Sequence, residues 1–253
     1  KSTCGRSILR LVEPVSGKIL LNNQNILALN NQELRKTRRD MQMIFQDPFA
    51  SLNPYMTLWG QIAEPLKNFG LVSKSEIEDI ICDILKKVEL PIGFLKRFPH
   101  ELSGGQRQRV AIARAIVVNP SLVVADEAVS ALDVSVQAQV LNLMMALQDQ
   151  LGLSYLFISH DMAVVERVSH KVGVMYLGRL VEHGSRAQIF ENPQHDYTKS
   201  LMAAVPIADP KRRNISGDIS FKPIPSPVFS VDQVIEDPIY KEVDAGHWVL
   251  TNK

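Results

Sequence analysis

Apolar and polar positions change their period several times along the chain, and each change marks an element. From Ser2 to about Val12, Ile8, Leu9 and Val12 fall at helical spacing, and Pro14 with Gly17 ends the predicted helix. Residues 18 to 21 and 25 to 29 read as short strands around an Asn-rich turn, and residues 41 to 45 as another strand. Residues 57 to 118 are dense in helical signals, interrupted by Pro65, Gly70, Pro91 and Pro99, and read as a helical insertion.

The run 122 to 125 is apolar without alternation and closes on Asp126 and Glu127. A strand apolar on both faces belongs inside a parallel sheet. Val136, Val140, Leu143, Leu147 and Leu151 then line one helical face, with Gly152 as the C-terminal stop. A second buried strand over 153 to 158 ends in Ser159 and His160. This β-α-β order places the acidic pair and the histidine at the C-terminal ends of two strands of one sheet, where open α/β folds bind ligands. Residues 171 to 176 and 179 to 183, joined at Gly178, read as a hairpin, an antiparallel piece beside the parallel sheet. Beyond Asn192 prolines accumulate, and 207 to 228 is expected to be partly disordered.

Composition narrows the class. The 253 residues carry 28 Lys and Arg against 27 Asp and Glu, with 45% apolar and 22% charged residues, an ordinary globular balance. No basic block stands alone, so a nucleic-acid partner is not expected. No apolar run approaches the ~18 residues a membrane-spanning helix requires. Cys4 and Cys82 lie far apart without Cys or His neighbours, which reads as two reduced thiols rather than a disulfide or metal framework. No signal peptide is visible, and the absence of an initiator Met suggests that the chain begins inside a longer protein.

Three features carry chemistry. Lys1, Ser2 and Thr3 run straight into a helix and match the end of the phosphate-binding pattern G-x-x-x-x-G-K-[ST], without its glycines. Asp126 and Glu127 close a buried strand, a layout that sets one carboxylate near Mg2+ and the next near an attacking water. Ser103, Gly104, Gly105 and Gln106 open a helix; a serine cap with two glycines at the positive helix end makes an anion site. A serine-capped helix after a loop would explain Ser103 but leaves the glycine pair without a use.

Leu102 to Arg109 read Leu-Ser-Gly-Gly-Gln-Arg-Gln-Arg, with Ser103 standing 23 residues before Asp126 and 57 before His160. This set resembles the signature of ATP-binding cassette (ABC) ATPases, over about residues 1 to 205. The resemblance implies an α/β fold: a P-loop NTPase-type parallel sheet core, an ABC α-helical subdomain and a small antiparallel β piece. It divides the chain into a core of 1 to 56 and 119 to 190, a helical signature subdomain of 57 to 118 and a C-terminal extension of 191 to 253. It further implies that Lys1, Ser2 and Thr3 end Walker A, that Gln46 is the Q-loop glutamine touching Mg2+, and that Asp126 is the Walker B metal ligand. Glu127 would be the general base, Asp133 part of the D-loop over 130 to 133, and His160 the switch histidine at the γ-phosphate. ATP and Mg2+ are the implied cofactors, Ser2 joining Asp126 and Gln46 at the metal.

In that family the signature turn of one cassette presses on the nucleotide of another, so a second ATPase subunit or half is the implied partner. The phrases 46 to 54, 158 to 165 and 192 to 198 are similar to those of dipeptide and oligopeptide importers, and 126 to 130 with 245 to 249 to glutathione importer ATP-binding proteins. The implied setting is the cytoplasmic face of the inner membrane, with permease subunits that dock over residues 46 to 55 and the helices after Thr57, and a periplasmic or extracellular substrate-binding protein. Residues 190 to 253 contain no Cys, so the iron-sulfur cluster carried by some members has no ligands here. Two other readings use the same residues: a soluble ABC protein acting on ribosomes or DNA, whose charged linkers and basic arms are missing, and a non-catalytic cassette fragment.

Overall fold

The computed structural model describes residues 1–70, 72–204 and 237–251, apart from the side chain of Lys74. The chain divides into two compact units, Lys1–His160 and Asp161–Lys253. The expected disorder at 207 to 228 lies outside the described residues.

In the first unit α1 spans Ser2–Ile8, shorter than the sequence pattern suggests. Arg10 takes a positive φ of 48° and its guanidinium donates to the carbonyls of Ile26 and Leu29, so the chain turns away before Val12 can extend the helix. Strands β1 (Leu20–Leu21) and β2 (Gln24–Asn25) form a hairpin. Its turn residues Asn22 and Asn23 both have positive φ, a conformation asparagine tolerates better than most residues. A helix not anticipated from periodicity, α2 (Asn31–Thr37), starts at a capping box in which Asn30 accepts from Gln32 and Glu33 while Glu33 accepts from the Asn30 amide.

Strands β3 (Met41–Ile44), β4 (Leu122–Asp126) and β5 (Ser154–Ile158) form a parallel sheet in the order β3-β4-β5. Ala125 pairs with Ile44 and Phe157, which fixes the register that brings the strand ends together. The connection from β4 to β5 is α7 (Val134–Leu151), stopped by Gly152 in the left-handed region as the sequence suggests. Between β3 and β4 lie α3 (Pro48–Ser51), α4 (Leu58–Phe69), α5 (Lys74–Lys87) and α6 (Gly104–Ile116). Pro65 does not interrupt the helix that carries it. It sits inside α4, which runs on to Gly70 in the left-handed region. Leu58, Ile62, Leu66, Ile81, Leu85 and Ile112, each at most 2% exposed, form the interior of these helices.

The second unit begins with α8 (Met162–Val168) and the expected hairpin, β6 (Lys171–Tyr176) and β7 (Arg179–Ser185). The turn holds Leu177 and Gly178 at positive φ. The hairpin is part of a larger antiparallel sheet in the order β6-β7-β9-β8, completed by β8 (Tyr240–Asp244) and β9 (His247–Leu250). Helices α9 (Arg186–Glu191) and α10 (Asp196–Ala203) follow β7, and Val172, Val174, Val181, Ile189 and Leu250 make the core.

Candidate functional site

A glycine brings the first helix onto the sheet. A Cβ at Gly5 would come within 2.8 Å of Ile158 Cδ1 and 3.0 Å of Val124 Cγ1, so only glycine lets α1 lie this close to β4 and β5. At that separation Ser2 Oγ donates to Asp126 Oδ1 at 2.8 Å, and Lys1 Nζ donates to the Ser159 carbonyl at 2.9 Å. Asp126 is only 2% exposed, which leaves a buried carboxylate with a hydroxyl as its partner.

The neighbouring carboxylate is held from both sides. Gln46, just past β3, donates from Nε2 to Glu127 Oε2 at 2.8 Å, and His160 Nδ1 lies 3.1 Å from Oε1. The Glu127 backbone takes a positive φ of 48°, a position an L residue occupies at a cost of about 1–3 kcal/mol. Its amide donates to the Ile158 carbonyl at 2.9 Å, and its carbonyl accepts from the Ser130 amide at 3.1 Å and hydroxyl at 2.9 Å. These bonds lock the strained turn just past the end of β4.

The geometry therefore gathers Lys1, Ser2, Gln46, Asp126, Glu127 and His160 at the edge where the β4 and β5 strands end. Six other candidates stand apart from this cluster. Ser103 donates its amide to Gln106 Oε1 at 3.0 Å and accepts from the Gln106 amide at 3.3 Å, a capping box that starts α6. Among the described residues no hydrogen bond joins this turn to the edge cluster. Gly104 lies 3.5 Å from Leu132 Cδ2 by its would-be Cβ, and a Cβ at Gly105 would overlap Val136, so the pair does have a packing use against the start of α7. Asp133 occupies the N-cap of α7 with an exposed side chain that makes no capping bond, and Thr3 faces solvent on α1.

Sequence reasoning passed over Gly5, the Ser159 carbonyl and the Ser130 hydroxyl. A lone glycine inside a helical pattern is the only signal of the first; nothing in the chain's periodicity marks the other two.

Chemically, a hydroxyl and a carboxylate are hard oxygen donors of the kind Mg2+ takes, and that ion is commonly held by one or two carboxylates together with substrate phosphates. Ser2 and Asp126 fit such a shared ion. Among the described residues no group of three or more His, Cys, Asp or Glu side chains could hold a metal ion. Glu127, oriented by Gln46 and His160, can accept a proton from a water in front of the edge.

With this sheet, this edge and helices inserted between β3 and β4, the first unit is a P-loop NTPase-type α/β core carrying a helical subdomain. The profile of the ABC transporter family matches residues 1–130, and the chain belongs to that family. A second profile, the C-terminal region of oligopeptide/dipeptide transporters, matches residues 181–225. The glutathione import ATP-binding protein GsiA of Pectobacterium atrosepticum is 50% identical over 250 residues, 98% of this chain and 40% of that protein. Its namesake in Salmonella typhimurium is 50% identical over 249 residues with the same coverage. The chain thus spans about 40% of the length of these relatives. Among solved structures, the dimeric post-hydrolysis state of the ATP-binding cassette MJ0796 bound to ADP and Pi superposes with a TM-score of 0.65 at 30% identity, covering 73% of this chain and 80% of that one. The cbiO1 protein from Clostridium perfringens, part of the ABC transporter complex cbiONQ, gives 0.69 at 26% identity over 79% and 78%. Among the described residues no helix is long and apolar enough to cross a membrane.

Proposed function

We propose that the chain is an ATP-hydrolysing cassette that powers import of a peptide-class solute, glutathione being the finer assignment. The observation that carries this reading is Glu127, whose two oxygens are held by Gln46 and His160 beside an Asp126 bonded to Ser2. Lys1 and Ser2 would face the β and γ phosphates. Asp126, Ser2 and Gln46 would hold Mg2+, which when bound neutralises charge on the triphosphate. Glu127 would take the proton of the attacking water, with His160 and Gln46 fixing its rotamer and His160 reaching the γ-phosphate.

Ser103 to Gln106 and Asp133 lie outside the edge cluster, which supports a site completed by the signature turn of a second cassette in a head-to-tail pair. ATP then stabilises the pair by binding across it, and hydrolysis releases it. A similar cassette, MJ0796, is dimeric in its solved form.

The permease would dock over the stretch that exposes Phe49 and Tyr55, and a cavity of about 560 Å3 lined in part by Phe45, Glu64, Phe69 and Arg114 offers it a recess in the same unit. Leu52 and Leu58, also in that stretch, are core residues at 3% and 0% exposure and are not available for docking. The reading places the chain at the cytoplasmic face of the inner membrane, reaching a substrate-binding protein only through the permease, with no nucleic-acid partner. Glutathione is supported by the name GsiA shared by the relatives, and peptides by the C-terminal region that matches.

Uptake of labelled glutathione and labelled dipeptides by cells expressing the full-length protein with its permease tests the assignment. ATP-dependent accumulation of glutathione alone is expected. Accumulation of dipeptides alone moves the assignment to peptides, and hydrolysis of ATP by the full-length protein without uptake of either overturns the transport reading.

A further inference from the structure

Among the described residues seven other than glycine have a positive φ, and Glu127 is the one of them that carries a candidate reacting group. A residue with a Cβ leaves that region for the ordinary ones unless its surroundings over-determine it. The Glu127 amide is tied to β5 through the Ile158 carbonyl at 2.9 Å. Its carbonyl accepts twice from Ser130, from the amide at 3.1 Å and from the hydroxyl at 2.9 Å.

The residues between them show what that hydroxyl does. Ala128 and Val129 are each 2% exposed, so the middle of the turn is anchored in the core without help from Ser130. Ser130 itself is exposed, with water at hand as an alternative partner, and its side chain returns to the peptide three residues back. The freedom left to remove is therefore rotation at Glu127. Such a rotation swings its Cβ and withdraws the carboxylate from His160 Nδ1 at 3.1 Å and Gln46 Nε2 at 2.8 Å.

We infer that Ser130 is a positioning residue for the proton acceptor: its hydroxyl holds the Glu127 carbonyl, and with it the left-handed backbone that sets the carboxylate between Gln46 and His160. Ser130 acts through Glu127 and not on the nucleotide. This rests on the reading of Glu127 as the base.

The test uses the full-length protein with Ser130→Ala and Ser130→Thr, each alone and combined with Glu127→Gln. It reads kcat and KM for ATP, the thermal midpoint, and ATP-driven pairing by sedimentation. Ser130→Ala should lower kcat about three- to tenfold, the population change that one net hydrogen bond supports, with KM and the midpoint unchanged. Ser130→Thr keeps the hydroxyl and should restore turnover. On top of Glu127→Gln, Ser130→Ala should alter neither the residual turnover nor the ATP concentration needed for pairing, because the group it positions is gone.

An equal loss in Ser130→Thr, a further loss on top of Glu127→Gln, or a raised ATP requirement for pairing overturns the inference, the last by placing the hydroxyl at the contact between cassettes. A lower midpoint with kcat unchanged means a structural turn and overturns it too. Turnover that Glu127→Gln leaves intact fails the reading of Glu127 itself, whereas a loss in Glu127→Gln with none in Ser130→Ala overturns this inference alone.

Discussion

Two glutamate–histidine pairs, one in each compact unit, share a chemistry and little else. Glu127 and His160 meet at 3.1 Å with side chains 20% and 64% exposed, and the glutamate's other oxygen is bonded only to a glutamine amide. Glu182 and His247 meet at 2.7 Å, 0% and 1% exposed. There the carboxylate also accepts the amides of Gln194 at 2.8 Å and His195 at 3.0 Å, and the Thr198 hydroxyl lies beside it just short of hydrogen-bond geometry. The first pair keeps a face toward solvent on a strained turn, where a substrate can displace water. The second is walled in by donors from β9 and the start of α10 and has no room to act on anything. Burial and the number of fixed donors, not the identity of the pair, separate a reactive carboxylate from a structural one.

The largest expected effect breaks the first pair. Glu127→Gln keeps the shape and the contact to Gln46 but cannot take a proton, so turnover of the full-length protein should fall by about 10²–10⁴-fold, the usual contribution of a general base. Nucleotide binding should persist, and the ATP-bound pair of cassettes should accumulate. Phosphate release that stays at the unsubstituted rate would remove Glu127 from the chemistry.

Breaking the second pair should leave catalysis at the first unit's edge intact and cost stability instead. Glu182→Ala strands a buried imidazole and two backbone amides, and each buried group left unpaired costs about 1–3 kcal/mol. The pH dependence follows from the carboxyl's direction of shift. Burial pushes Glu182 up, but the Thr198 hydroxyl beside it, together with donation from Gln194, His195 and His247, outweighs burial and holds the group below its ordinary 4.5. A carboxyl depressed in the folded state contributes fully above the unfolded value and loses that contribution as pH falls through the folded one. Unfolding of β8 and β9, followed by Trp248 emission in a Trp59→Phe background, should therefore begin below about pH 4.5 in the native chain. In Glu182→Gln that acid-dependent step should flatten. An equally steep step in the variant would assign the acid sensitivity to another carboxylate.

The comparison also explains what the sequence could and could not show. The strands that lead to Asp126, Glu127 and His160 were legible because a continuous apolar run closed by charge has few other uses, although only β4 is buried nearly throughout, while in β5 only Ile158 is buried. The Gly178 hairpin and the Gly152 stop were legible because both need a backbone that glycine supplies. The Glu182–His247 clasp was not, since its partners are 65 residues apart and the phrase 245 to 249 that holds His247 says nothing of Glu182. Helix α2 escaped notice because its only apolar anchor is Leu34, although Asn30 and Glu33 spelled a capping box. Pro65 misled in the opposite sense: packing of α4 around Ile62 and Leu66 outweighs the one backbone bond it removes.

The smallest effect sharpens the contrast between the units through a motif they share. Ser103 with Gln106 and Ser185 with Gln188 form the same capping box, with serine amide to glutamine oxygen at 3.0 and 2.9 Å and glutamine amide to serine hydroxyl at 3.3 Å in both. As caps they are equivalent, so Ser103→Ala and Ser185→Ala should each lower stability by about 1 kcal/mol. Only Ser103 opens the helix proposed to meet a second cassette's nucleotide. Ser103→Ala should therefore also raise the ATP concentration needed for pairing, while Ser185→Ala should leave it where it was. If both alanine variants lose stability alike and neither moves the ATP requirement, Ser103 is a cap and nothing more, and the half-site belongs elsewhere on α6.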